Sequence, residues 1–441
     1  MFQKSIGRCQ TMVPENRVQD GTFPIPKLFV GKEDIDQFIE EFKGFHAQFA
    51  DCFSREEPRE TFVQYMAGQM SQLERKSIEP IAMNVENAKV RAMQHFISNV
   101  VWDEARIISR YHDMVVEDLG DTEGVLIFDE SGFVKKGGDS AGVARQYCGN
   151  VGKVENCQVG VFAAYGSRHG YCMLDNRLFI PEKWFGGDYA ERRRKCRFPN
   201  ELSFSTKPQL ALEMFEGIIR ENVIPFRYVV ADTVYGGSPE FISAVENVTG
   251  VVYMVSLPMD TLCWVQGPSV MEKTYRYKGE ERKKRMVAET EDKPITFEKL
   301  ARGTNAYFWY RRAVSEGTKG PITYEFMKKR VILSKNGMPD RNVWLIVRRP
   351  IGGDVAKYSY FISNAGRSTQ LKTFVWLSGI RWAIEQCFGE AKTDLGMDHY
   401  EVRKFPGWRH HMITCMLAHF FLWHMRIRLG EKSTSYYAIA A

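Results

Sequence analysis

GVLIFDE, residues 124–130, is the point at which this chain changes character. Before it, apolar residues recur at helical spacing in IDQFIEEFKGFHAQFADCF (35–53), ETFVQYMAGQMSQLERKSIEPIAMNV (60–85) and VRAMQHFISNVVWDEARIISRYHDMV (90–115). That periodicity predicts helices. GVLIFDE is instead a short apolar run bounded by turn formers, which predicts a buried strand. NCQVGVFAAYG (156–166) and GYCMLDNRLFI (170–180) predict two more strands, and QLALEMFEGIIREN (209–222) a helix. FRYVVADTVYGG (226–237) reads as a strand running into a Gly-rich loop, SPEFISAVENV as a capped helix, and GVVYMVSLP (250–258) as a further strand. The resulting order is β-β-β-α-β-α-β, an α/β arrangement with a meander ahead of the first crossover.

Working outward, residues 1–118 form an all-helical N-terminal domain by this reading. It serves either for packing and dimerisation or for DNA recognition by helices in a groove. Residues 119–260 hold the first part of the α/β core. Residues 261–365 alternate strand-like runs with basic or Gly-rich turns and read as a β-rich insertion. Helices resume over 366–430 with STQLKTFVWLSGIRWAIEQCFGEAK (368–392), and 431–441 is expected to be a frayed tail.

At 441 residues and 44% hydrophobic content the chain is long enough for a sizeable core. No apolar run approaches the roughly 18 residues of a membrane span, and the N-terminus lacks the apolar segment of a secretory signal. The nine cysteines are scattered without a CxxC pair. That argues against a zinc ribbon or a disulfide framework and predicts small core thiols in a reducing cytosol. A net charge of +6 is modest, yet the basic residues cluster in ERRRKCR (191–197), EERKKR (280–285), MKKR (327–330) and VRRP (347–350). Four such clusters point to a polyanionic partner, although each alone also reads as a solvated surface.

Two acids stand at expected strand ends, Asp129 in LIFDESGF and Asp232 in YVVADTVYG. Each alone also reads as a turn or helix-cap residue. The third acid of interest lies in RWAIEQCFGEAK (381–392). Arg381, Glu385 and Lys392 fall on one line of a helix, beside the apolar stripe of Ile384, Phe388, Ala391 and Leu395. Three carboxylates brought together repel unless cations neutralise them. Oxygen-only donors suit Mg²⁺ or Mn²⁺, and two such ions about 4 Å apart can drive phosphoryl transfer. A purely structural reading of the helix is a pair of ion bridges from Glu385 to Arg381 and to Lys392. An aspartyl-phosphate phosphatase is disfavoured, because Ser131, not Asp, stands two residues after Asp129.

The spacing Arg381–Glu385–Lys392 matches the R-x3-E-x6-K signature of DDE transposases of the bacterial insertion-sequence type. HFISNVVWDEARI (95–107), DESGFVKKGGDSAGVARQYCGNVGKVENCQ (129–158) and RWAIEQCFGEAKTDLGMDHYEVRKFPGWRHH (381–411) closely resemble the insertion sequence 701 family. The resemblance implies a ribonuclease-H-like catalytic core interrupted by the β-rich insertion. It implies Asp129, Asp232 and Glu385 as the catalytic triad holding two Mg²⁺ (or Mn²⁺) ions, with Arg381 and Lys392 on phosphates of the transposon end. Relatives carry Tyr three residues before the Arg, in contact with the DNA end; this chain has Ser378 there, expected as a DNA contact, and whether excision passes through a hairpin stays open. Further expected DNA contacts are Lys135, Lys136, Arg145, Gln146 and Lys153 in the run after Asp129, and Tyr400, Arg403, Trp408 and His410 after the glutamate helix. The first group also reads as an ordinary surface hairpin, and Trp408 as a core residue; Trp344 and Trp376 are further candidates for stacking on a displaced base. The implied activity is cut-and-paste transposition on double-stranded DNA, at terminal inverted repeats and target. It would be carried out by a homodimer in a paired-end complex, in a bacterial cytoplasm, associated with the nucleoid. A DNA-binding protein without cleavage and a nuclease without strand transfer are the alternatives.

Overall fold

A computed structural model describes residues 32–439 except 279, 289–292, 318–319 and 353–356. Part of the expected helical domain, residues 1–31, and the end of the expected tail, residues 440–441, lie outside the described residues. The order opens with helices α1 (Lys32–Ala47), α2 (Glu56–Met70), α3 (Ile78–Asn84), α4 (Val90–Ser98) and α5 (Glu104–Leu119). Strands β1 (Val125–Val134), β2 (Ala144–Cys148), β3 (Lys153–Ser167) and β4 (Gly170–Phe179) follow, then α6 (Ala190–Lys195) and α7 (Lys207–Glu221). Next come β5 (Tyr228–Ala231), α8 (Thr233–Gly236), α9 (Pro239–Glu246), β6 (Val252–Ser256), β7 (Leu262–Trp264), β8 (Val270–Tyr277), β9 (Glu280–Val287) and β10 (Ile295–Thr296). The chain continues through α10 (Phe297–Gly303), β11 (Tyr310–Gly317), β12 (Gly320–Lys335), β13 (Met338–Pro350) and β14 (Ser359–Ser363). It closes with α11 (Leu371–Ile380), α12 (Trp382–Leu395) and α13 (Phe405–Ile439). The fold is mixed α/β, as expected, and among the described residues no helix is long and apolar enough to cross a membrane.

The chain divides into two compact units, residues 1–227 with 381–441, and residues 228–380. In the first, β3 pairs antiparallel with β1, from Val125↔Gly166 to Val134↔Cys157. Its other edge takes β2 and then β4. The meander is therefore present, with β2 added from the Gly-rich run after β1. The helical N-terminal segment is not a body of its own. Phe42 and Phe45 of α1 each meet Phe421 of α13 at 5.2 Å between ring centroids. Tyr65 of α2 hydrogen-bonds His411 at 2.8 Å, and Trp102 stacks flat on His410 at 4.0 Å. Burying these rings removes large apolar areas from water, which ties α1, α2 and the corner between α4 and α5 to α13.

Several charged groups inside this unit are paired. Arg409 of α13 donates to Glu104 (3.1 Å), to Asp175 (2.8 Å) and to the Asn176 carbonyl. Arg177 also bonds Asp175 at 2.7 Å. All eight described cysteines are free and buried, as expected for core thiols. Helix α7 begins with a capping box: Thr206 and Gln209 exchange side-chain and backbone hydrogen bonds, and Pro208 follows in the first turn. Thr206→Ala is expected to lower stability by about 1 kcal/mol, read as a shift in the denaturant midpoint.

In the second unit β5 and β6 run parallel, from Tyr228↔Val252 to Ala231↔Val255. β6 continues antiparallel into β14, then β13, then β12. The far edge of β12 takes β11 and β7, and β7 takes β10. The boundary expected at 260 is thus not a break in packing, because Phe361–Ser363 of the β-rich stretch pairs directly with Met254–Ser256. Sheet pairing between strands far apart in sequence leaves no composition signal. β8 and β9 form a separate two-stranded sheet.

Candidate active site

Asp129 does not end its strand. ESGFV continues the pairing with β3, so Asp129 lies midway along β1, opposite Phe162. The apolar run ends at Phe128, but backbone pairing persists because Gly132 and Phe133 are buried and fit the pleat. The Asp129 carboxylate accepts from the Glu130 backbone N–H at 2.8 Å. It also accepts from Arg381 Nη1 at 3.1 Å. The other terminal nitrogen of Arg381 donates to Glu385 at 2.9 Å. One guanidinium therefore joins two of the three acids that the sequence singles out.

The helical stretch expected across 368–392 breaks at Arg381, which is the N-cap of α12. Ile384, Phe388, Ala391 and Leu395 are all buried, as the stripe requires. That burial fixes the rotation of α12 and aims Glu385, about half exposed, along the edge of the core. Of the two ion bridges in the structural reading, only the one to Arg381 forms. Lys392 reaches past Glu385 to Ser131 Oγ (2.9 Å) and the Gly132 carbonyl (3.2 Å) on β1. Burial pushes its ammonium down to about 8. Next along β1, Glu130 pairs with Lys207 at 2.7 Å, a contact that no motif spacing marks.

Asp232 belongs to the second unit. It follows the last residue of β5, as expected, and caps α8 by accepting from the Val234 N–H at 2.9 Å. Ser378, also in this unit, is buried and bonds the Val375 carbonyl of its own helix at 2.8 Å, so its hydroxyl is not the DNA contact expected of it. Trp376 is half-buried, its ring edge-on to Tyr228 at 5.5 Å, and Trp344 donates to the Gly366 carbonyl at 3.1 Å.

Three other expected DNA contacts, Tyr400, Trp408 and His410, are corrected by burial, and a fourth, half-buried Lys135, is held by Tyr400. Tyr400 donates to Gln158 at 2.8 Å, and Lys135 lies 3.3 Å over its ring while bonding its carbonyl at 3.0 Å. Burial brings the Lys135 ammonium down to about 7. Trp408 packs so closely on β3 that a Cβ at Gly160 would meet its ring at 2.9 Å. His410 is clamped between Trp102 and the Ile97 carbonyl. A side chain enclosed in this way cannot reach a phosphate. Aromatic and basic residues are as common at core seams as on nucleic-acid surfaces, which is why the sequence did not separate the two. Lys136, Arg145, Lys153 and Arg403 are exposed; Gln146 is half-buried and bonds the Cys157 carbonyl at 3.1 Å.

The donor set fits a hard divalent cation. Asp129 and Glu385 offer only carboxylate oxygens, and both already converge on one positive charge. Over residues 48–321 the chain matches the DDE superfamily endonuclease family. It belongs to that family. The matched region includes Asp129 and Asp232 and ends before Glu385. The chain is also 26% identical over 222 residues to the probable transposase for insertion sequence element IS701 of Microchaete diplosiphon. That alignment covers 50% of this chain and 54% of the relative, so the chain spans about half the length of the curated relative it matches. The resemblance carried by residues 95–107, 129–158 and 381–411 is thereby borne out at the level of the family.

Proposed function

We propose that this DDE-family chain is a transposase. It would hydrolyse a phosphodiester at each end of its own DNA element and join the freed 3′-hydroxyl to target DNA. The observation that carries this reading is the convergence of Asp129 and Glu385 on Arg381, with Lys392 anchored on the same strand as Asp129. The order β1, β3 and β4 antiparallel, then α7, then β5 parallel to β6, supports a ribonuclease-H-like core. Asp232 at the end of β5 is the third acid of the proposed triad.

The triad would hold two Mg²⁺ or Mn²⁺ ions, and bound metal would supply an activated nucleophile and charge stabilisation on the leaving oxygen. The chain's own groups position the substrate. Arg381 presents a planar fork suited to a phosphate. Lys392 is held in place by Ser131 and Gly132 and, at about 8, keeps its proton at neutral pH. Lys136, Arg145, Lys153 and Arg403 are exposed cations for the DNA backbone beyond the scissile bond. Two element ends must be cut and joined together, so a homodimer on paired ends is the proposed assembly.

The test is incubation of the purified chain with a labelled duplex carrying the flank of its own element, in Mg²⁺ or in EDTA. Metal-dependent nicking at one phosphodiester, with a strand-transfer product, is the expected result. Tight binding without cleavage in Mg²⁺ and Mn²⁺ would remove the mechanism and leave a DNA-binding protein.

A further inference from the structure

The four basic clusters of the sequence end in different surroundings. In MKKR, Lys328 lies 4.4 Å over the Trp344 ring. In VRRP, Arg349 bonds Glu325 at 2.9 Å and lies 3.7 Å over Trp309. In ERRRKCR, Arg193 bonds the Trp184 and Gly186 carbonyls, and Lys195 pairs with Glu191 at 2.8 Å. Much of their charge thus holds the fold together. EERKKR is different, because it forms most of β9 in the separate β8–β9 ribbon.

Every described residue from 270 to 285 is exposed, so both faces of the ribbon meet solvent. A two-stranded ribbon by itself is marginally stable in water. Its register sorts the side chains onto two unlike faces, since directly opposed residues share a face. One face pairs Glu272 with Arg285, Thr274 with Lys283 and Arg276 with Glu281, and Lys283 lies 3.8 Å from Glu272. Its charges alternate in sign. The other face sets Lys273 opposite Lys284, Tyr275 opposite Arg282 and Tyr277 opposite Glu280, whose carboxylate lies 3.4 Å from Arg282, so three cations stand there against one acid. The Arg282 guanidinium lies 5.0 Å over the Tyr277 ring, and both tyrosines are exposed. Like charges set directly across a ribbon destabilise it, and a polyanion would reverse that sign.

We propose that the β8–β9 hairpin is a duplex-DNA-binding arm whose Lys273, Tyr275, Arg282 and Lys284 face lies along the major groove. The proposal rests on the reading of this chain as an enzyme acting on DNA. A B-form major groove about 12 Å wide admits a two-stranded ribbon. The deep, narrow major groove of A-form RNA does not, so the arm selects duplex DNA over duplex RNA. The lysines and Arg282 meet phosphates, while the tyrosine rings lie against sugars and base edges.

The test uses the full chain in EDTA, with a DNA duplex and an RNA duplex of matching sequence, titrated across salt concentrations. K273Q/R282Q/K284Q is compared with R276Q/K283Q/R285Q, which removes the same charge from the opposite face. The first variant is expected to bind DNA roughly tenfold or more weakly near 0.15 M salt, with the salt slope smaller by about 2–3; the second should stay within about threefold of the parent. RNA binding should be equal in the parent and both variants. Parent-like DNA binding by the first variant overturns the arm. An equal loss in both variants overturns it too, by showing diffuse charge and no recognising face, as does an equal loss on RNA. If the parent cleaves DNA and the first variant binds as well as the parent, the arm alone falls. If the parent binds no duplex at all, the transposase reading falls with it.

Discussion

Asp129→Asn and Glu385→Gln are each expected to reduce end cleavage by roughly 1000-fold or more while leaving duplex binding in place. Both substitutions keep the shape of the side chain and remove its charge. A hard cation loses an anionic oxygen ligand in either variant, and an amide is a poor replacement. The fold should tolerate both, because Arg381 is about a quarter exposed and keeps its other carboxylate partner in each case. Partly exposed ion pairs contribute about 0–1 kcal/mol, so the melting temperature should barely move. Asp232→Asn makes the comparison sharper. Asp232 also caps α8 through the Val234 N–H, and Asn caps a helix as well as Asp does. Lost cleavage with unchanged melting in Asp232→Asn would therefore report the charge and not the cap. Cleavage at the parental rate in any of the three variants removes that residue from the proposed triad.

Arg409→Met is expected to be the most destabilising single change described here, by about 3–5 kcal/mol, with a fall in Tm on the order of 10 °C. Methionine fills much of the same space, so the loss comes mainly from two carboxylates: Glu104 loses its arginine, and Asp175 is left with Arg177 alone. Burial raises the Asp175 carboxyl, but Arg409 and Arg177 outweigh it and bring it from 3.8 down to about 2. A depressed carboxyl contributes stability that is present above the unfolded value of 3.8 and is lost as the pH falls through about 2. Without Arg409 the Asp175 carboxyl moves upward and takes up a proton at higher pH. The stability gap between parent and variant should therefore narrow as the pH is lowered from 7 towards 4. Thermal melts across that range check it; a gap independent of pH would mean that packing, not charge, accounts for the loss.

Periodicity was a good guide wherever a residue's neighbours in sequence are also its neighbours in space. The change from helical to strand spacing at GVLIFDE marks the start of β1, and the meander, α7, β5 and β6 follow in the expected order. Asp232 follows the end of its strand, and where a Gly-rich loop was expected its carboxylate caps the short helix α8, which turns the chain out of the sheet. The stripe on α12 is buried, which places Glu385 and Arg381 on the line the spacing implies. The R-x3-E-x6-K spacing pointed to the family because chemistry on a phosphate demands particular residues at particular helical positions.

Other features were decided only by pairings between distant parts of the chain. Whether β1 stops at Asp129 depends on β3, some thirty residues on, which holds ESGFV in the sheet. Lys392 was expected on Glu385 or on a phosphate, and the packing of α12 beside β1 sets it on Ser131 and Gly132. Tyr400, Trp408 and His410 share a composition with DNA-binding surfaces, yet α13, β3 and the N-terminal helices enclose them. The sequence alone determined most of the elements and the family, because hydrophobic period and motif spacing are local properties. The tertiary structure decided which cations face solvent and which are held inside, because burial depends on contacts that no stretch of sequence contains by itself.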